Sequence, residues 1–164
     1  MALSSTDALW YLPFVLPICL YVAFTDLRDM KIKNGAVLAL AGLFLILGLI
    51  TLPLPEYGMR IVQMIGVLVV GIILNAAGAV GAGDAKFVAA ASPFIPGADL
   101  LIVLMVFCAT LLAAFTTHRI AKFSPLRRVT PHWKSWDRGW DFPMGLALGP
   151  AFVLYLVLAI VQQS

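Results

Sequence analysis

The sequence predicts an all-α membrane protein, a single domain over residues 1–164 built as a bundle of six transmembrane helices, the fourth of them short. Three observations predict it. The composition is 62% apolar and 12% charged, against about 45–50% and about 25% for an ordinary soluble domain. The apolar residues fall into runs long enough to cross a bilayer, which takes ~20 residues. The basic residues then collect on one side of the arrangement those runs imply.

Charges mark the limits of each run. Ala8–Thr25 is 18 residues without a charge, Asn34–Pro55 is 22, Ile61–Gly83 is 23, Leu100–His118 is 19 and Phe142–Ser164 is 23. Phe87–Ala98 is only 12 residues and holds Pro93 and Pro96, so length alone leaves a re-entrant segment open. The loop charges favour a crossing. With six crossings, 26–33, 84–86 and 119–141 share one side and hold 10 of the 11 Lys and Arg, leaving Arg60 opposite. Without the fourth crossing the split becomes seven against four, a much weaker orientation signal. The predicted spans are therefore about 8–25, 35–54, 61–83, 85–98, 100–118 and 142–162. Loop 119–141 is cytoplasmic, and both termini lie on the non-cytoplasmic side. Local thinning of the bilayer or packing inside the bundle accommodates the short span.

The segment Met1–Asp7 has no Lys or Arg and carries Asp7, so the first run reads as a retained span rather than a signal peptide. Pro53 and Pro55 end the second helix in an outer loop, Leu52–Arg60. Pro96–Asp99 forms a tight outer turn. The third span ends in Asn75-Ala-Ala-Gly-Ala-Val-Gly-Ala-Gly83, and these small residues suit the crowded centre of a bundle. The loop 119–141 mixes six cations with Trp133, Trp136 and Trp140. Indoles favour the headgroup level and cations favour anionic lipid, so this loop reads as a membrane-surface anchor, with docking of a partner as the other role.

The formal charge of +3 and pI near 9.1 do not indicate nucleic acid, because the charges sit in short loops between apolar runs. Cys19 and Cys108 lie inside apolar runs with no CxxC spacing, which excludes a zinc knuckle or a disulfide framework. They read as small buried hydrophobes.

The chemistry rests on Asp26, at the end of the first span, and Asp84, where the third span hands over to the fourth. The topology puts both at the cytoplasmic face. Two carboxylates brought together cannot easily both ionise, so the pair can share a proton. One then acts as base toward a water while the other protonates the carbonyl or the leaving amine. Each acid also has a plainer reading. Asp26 can be an ordinary juxtamembrane charge, and Asp84 can be the N-cap of the fourth helix. The Gly81-Ala-Gly83 lead-in suits a turn with unusual backbone angles or the close approach of another chain.

The motif Gly81-Ala-Gly-Asp84-Ala-Lys86 resembles the GxGD motif of intramembrane aspartyl proteases, and its trailing lysine is similar to that of the type IV prepilin peptidases. Asp26-x-Arg28-x-x-x-Ile32-x-Asn34 resembles that family's first motif, D-x-R-x-x-x-I-P-N, with Lys33 standing at the proline. Phe142-Pro-Met-Gly145-Leu-Ala-Leu-Gly149 resembles its closing segment, with Met144 where an aromatic is common. The resemblance covers nearly the whole chain. It implies Asp26 and Asp84 as the catalytic pair, and Gly81 and Gly83 as the shapers of the active-site turn. It places Arg28 and Lys86 nearby, where they tune a carboxylate, orient the loop or meet lipid phosphate.

The chain has no CxxC, so it looks like the short form that serves Flp, or tight-adherence, pili, without the methyltransferase segment of longer members. The implied substrate is a prepilin with a basic leader and an apolar helix. No metal or organic cofactor is implied, and the implied location is the inner membrane of a prokaryote. Two other readings use the same residues. A small transporter would use the acids as ion sites, but little polar character lies deeper than Asn75. A noncatalytic assembly subunit explains the small-residue packing and the Trp-rich loop, but not two motifs 58 residues apart on one face.

Overall fold

A computed structural model describes residues 1–138 and 141–162, with Leu126 described by its backbone alone. Trp140, one of the indoles assigned to the membrane surface, lies outside the described residues, as does the end of the last apolar run. Among the described residues the chain forms six α-helices and no strand: α1 Ser5–Asp29, α2 Asn34–Thr51, α3 Leu54–Ala76, α4 Ala82–Ala91, α5 Leu100–Lys122 and α6 Gly145–Val161. The helices α1, α2, α3 and the stretch Gly97–Lys122 are long and apolar enough to cross a membrane, and α6 is a shorter apolar helix. The chain is a multi-pass membrane protein.

Local chemistry sets the helix ends. Ser4 caps α1, its Oγ accepting the Asp7 N–H at 3.0 Å. The helix stops at Met30, which adopts the left-handed conformation (φ 55°) while its N–H still bonds Asp26 O. Pro53 follows the last turn of α2, and Pro55 occupies the first turn of α3, where its missing N–H costs nothing. The loop between them is therefore only Leu52 and Pro53, shorter than the charge pattern suggests. Arg60 does not end a helix. It is buried within α3, 2.8 Å from Glu56 one turn earlier, so the helix runs straight through it.

The fourth segment is short, as its sequence requires. Ten helical residues span about 15 Å, half of a ~30 Å hydrocarbon core. Single 3-10 turns at Ser92–Phe94 and Gly97–Asp99 carry the chain onward. The helix end lies among protein rather than lipid, and its carbonyls find a side-chain donor. Gln63 Nε2 of α3 donates to Ser92 O at 2.7 Å and to Ile95 O at 3.0 Å. Residues 82–99 thus run from the Asp26 end of the bundle to the opposite end. There the buried Asp99 carboxylate accepts the N–H groups of Ala2 and Leu3 and the hydroxyl of Tyr155, all within 3.0 Å.

Helices α1, α2, α4 and α6 form the core. Tyr11, Val15, Cys19 and Val22 of α1 meet Leu40 and Phe44 of α2, Phe87 of α4, and Phe152 and Tyr155 of α6. Phe94 is the hub of an aromatic cluster, 5.0 Å from Tyr11, 5.1 Å from Phe44 and 5.5 Å from Phe152 by ring centroids. The closest approach is between α1 and α6, where a Cβ on Gly149 would lie 2.8 Å from the Cys19 carbonyl oxygen. Helices α3 and α5 are the outer members. Within them only Arg60, Gly71 and His118 are buried, and residues such as Leu101, Leu112 and Ile72 are exposed, as lipid-facing residues are.

Candidate active site

The two acids singled out in the sequence line one cavity of about 310 Å³ at one end of the bundle. Its walls come from four stretches of chain. Asp26 lies in the last turn of α1, and Met30–Ile32 belong to the link that follows. Gly81–Asp84 form the start of α4, and Phe142 and Met144 precede α6.

Asp26 is buried (5% exposed) and held in place. Its Oδ2 accepts the backbone N–H of Gly145 at 2.7 Å. Gly145 is the first residue of α6, so this N–H is one that the helix itself leaves unpaired. A carboxylate at a helix N-terminus is also favoured by the aligned peptide dipoles. No side chain fits at 145. A Cβ there would meet Asp26 Cβ at 2.9 Å and Asp26 Oδ2 at 3.1 Å.

Asp84 is held differently. The N-cap of α4 is Gly81, without a side-chain cap bond, and Asp84 is the third residue of the helix. The N-cap reading is therefore corrected: Asp84 sits in the first turn with its carboxyl directed into the cavity. Gly81 makes the space for it, since a Cβ at 81 would lie 2.5 Å from Asp84 Oδ2. Among the described residues the Asp84 carboxyl has no hydrogen bond or ion pair. Burial, with the nearby charge of Asp26 adding to it, pushes its pKa up to about 6. Gly83 has a packing role: its would-be Cβ lies 3.2 Å from Ile32 Cβ, so the link after α1 rests directly on the start of α4.

Arg28 and Lys86 are not brought into this cavity. Arg28 pairs with Asp29 at 3.0 Å and lies over the Phe24 ring, 5.5 Å from its centroid. Lys86 is two residues past Asp84 on a helix, about 200° around the axis, and its Nζ donates to Asn34 Oδ1 at 3.2 Å. Lys31, which the motifs leave unspecified, lines the cavity instead. Gly145 is the contact that reasoning on single residues misses. Its only signal is the closing Pro-x-Gly segment, and its partner lies 119 positions away.

Trp136 is buried among protein side chains. Its ring stacks on His118 at 5.0 Å and on Trp133 at 5.9 Å, and its Nε1 donates to Thr130 O at 2.8 Å. His118 in turn meets the edge of Phe142, a wall of the cavity, at 5.7 Å. A partner for the indole N–H and two stacked rings hold this tryptophan among protein side chains.

Asp29 is the nearest competing acid, and its geometry separates it from the pair. It faces Arg28 and Lys33, at 3.0 and 3.1 Å, and does not line the cavity. Exposed pairs of this kind are worth about 0–1 kcal/mol. Asp29→Asn is therefore expected to leave activity within about twofold of the unsubstituted chain. A cleavage assay in membranes checks this, and a loss as deep as that of Asp26→Asn would mean that the wrong acid has been placed in the site.

A model of the type IV leader peptidase family matches residues 14–117, more than half of the chain. The match includes both aspartates and ends before Gly145. The chain matches no curated protein and no solved structure.

Proposed function

The chain belongs to the type IV leader peptidase family, and from that membership we propose that it is a membrane-embedded aspartic endopeptidase that removes the basic leader from Flp-type prepilins. The cut falls at the cytoplasmic face of a prokaryotic inner membrane. One observation carries the reading: acids from two different helices line one cavity at the end of the bundle where 10 of the 11 Lys and Arg cluster. Cations concentrate on the cytoplasmic side of membrane proteins, and the same cations favour anionic lipid there.

The environments of the two acids divide the labour. Burial raises the pKa of both acids, and at Asp84 the charge of Asp26 adds to it, so Asp84 carries the proton and gives it to the scissile carbonyl. Asp26, fixed by Gly145 through Oδ2, keeps its other oxygen to hold and deprotonate the attacking water. The tetrahedral intermediate then collapses as a proton passes to the leaving amine. Asp26, Asp84 and a water suffice for this sequence.

This division predicts a pH dependence. Asp84 is raised, so its proton is present below about 6 and lost as pH rises through that value. A plot of kcat/KM against pH should have its descending limb centred near 6, well above an ordinary carboxyl. Bound substrate excludes more water and raises the group further, so the limb of kcat should lie higher than that of kcat/KM. A profile that stays flat from pH 5 to pH 9 would remove Asp84 as the proton donor.

The test of the function is a pair of measurements on vesicles holding the purified chain: conversion of an added prepilin to its mature length, and ion flux. Cleavage without flux supports the peptidase. Flux without cleavage would favour the transporter reading, and neither would leave the noncatalytic assembly subunit.

A further inference from the structure

A second cavity, of about 460 Å³, lies on the other side of α4. Helices α2 and α3 diverge to form it. They meet near their shared loop, where Phe44 stacks on Tyr57 at 5.8 Å and Tyr57 Oη donates to Leu45 O at 3.0 Å. Towards the Asp26 end they separate and leave a groove. Leu38 and Ala41 are part of one wall, Ile65 and Leu68 part of the other, and Ala89 and Ala90 of α4 form the floor.

We propose that this groove seats the apolar helix of the substrate while its scissile bond reaches the cavity of Asp26 and Asp84. The inference rests on the peptidase reading and adds where the substrate enters. Three features favour a peptide helix over a lipid chain. An alanine floor lets a helix backbone approach closely, a fit that an acyl chain does not need. The groove and the catalytic cavity adjoin along the chain, since Ile32, Gly83 and Asp84 line the cavity while Asn34 and Lys86, two residues on from Ile32 and Asp84, line the groove. Between them lies a sill made by the Gly83–Ile32 packing and the Lys86–Asn34 hydrogen bond.

The third feature is chemical. A peptide bond must leave its helix to be cut, and each backbone group released near the bilayer needs a new partner. Lys86 and Asn34, both exposed on the sill, offer ammonium and amide donors to the freed carbonyls. This gives Lys86 a place in the site although it does not face Asp84. It positions the unwound stretch and does not exchange protons in the reaction.

The test places a photo-crosslinking side chain at Leu38 or at Ile65, each more than half exposed, in a chain also carrying Asp84→Asn to preserve the substrate. Leu104 on α5, also exposed, is the control. Prepilin in vesicles should form adducts at 38 and 65 and none at 104. In the otherwise unsubstituted chain, Ala41→Trp should raise KM about tenfold with kcat little changed, the sign of lost substrate binding alone. Adducts with lipid only, or equal adducts at all three positions, overturn the proposal even if the unsubstituted chain cuts prepilin in the same vesicles. If that chain does not cut, the peptidase reading falls and the groove assignment falls with it.

Discussion

Asp26→Asn and Asp84→Asn are each expected to lower prepilin cleavage by at least about 10³-fold while the protein still inserts and folds. General acid and base groups contribute about 10²–10⁴ each, and the two act on one water and one carbonyl. Asparagine keeps the size of each side chain. At 26 its carbonyl oxygen can still accept the Gly145 N–H, so the contact between α1 and α6 survives. What it cannot do is take or give a proton. Because the pair works as a unit, the double substitution should be scarcely worse than either single one. An additive loss would mean that the acids serve separate steps.

Gly145→Val is expected to cost about 10²-fold in kcat with KM little changed. A Cβ at 145 would stand 2.9 Å from Asp26 Cβ, too close to persist, so α6 must move away from α1 or Asp26 must turn. Either movement lengthens the 2.7 Å bond that fixes the carboxylate. A misplacement of ~1 Å is enough for a loss of this size. Gly145→Ala, with less bulk, should fall between the two. Single-turnover rates in vesicles, beside a thermal melt to show that the fold persists, measure both. Full activity in Gly145→Val would mean that the Gly145 N–H has no part in holding Asp26.

The two acids were legible in the sequence because a motif marks each and span counting places them at one end. Their surroundings were not. The N–H that fixes Asp26 belongs to a residue 119 positions away, and no local pattern reports which helix starts will meet. Asp84 follows a glycine that reads as a turn residue, but the helix begins one residue after Gly81 and absorbs Asp84 into its first turn.

A paired charge also need not mark the end of a helix. Arg60 bounds a charge-free run in the sequence, yet with Glu56 one turn away it sits inside α3. The length of the fourth segment was legible, since 12 apolar residues with two prolines cannot make a full spanning helix. Its ending was not, because the partner of its last carbonyls is Gln63 on another helix. Trp136 shows the same limit: its stacking on His118, 18 positions away, has no local signal.

The central claim is that Asp26 and Asp84 together cut a prepilin between its basic leader and its apolar helix. Mass spectrometry of the products from purified chain in vesicles tests it most directly, run side by side with Asp26→Asn, Asp84→Asn and Asp29→Asn. The expected result is one cut at the junction of leader and helix, made by the unsubstituted chain and by Asp29→Asn and by neither of the other two. Cleavage at a normal rate with Asp26 or Asp84 replaced, or no cleavage by the unsubstituted chain, would contradict it.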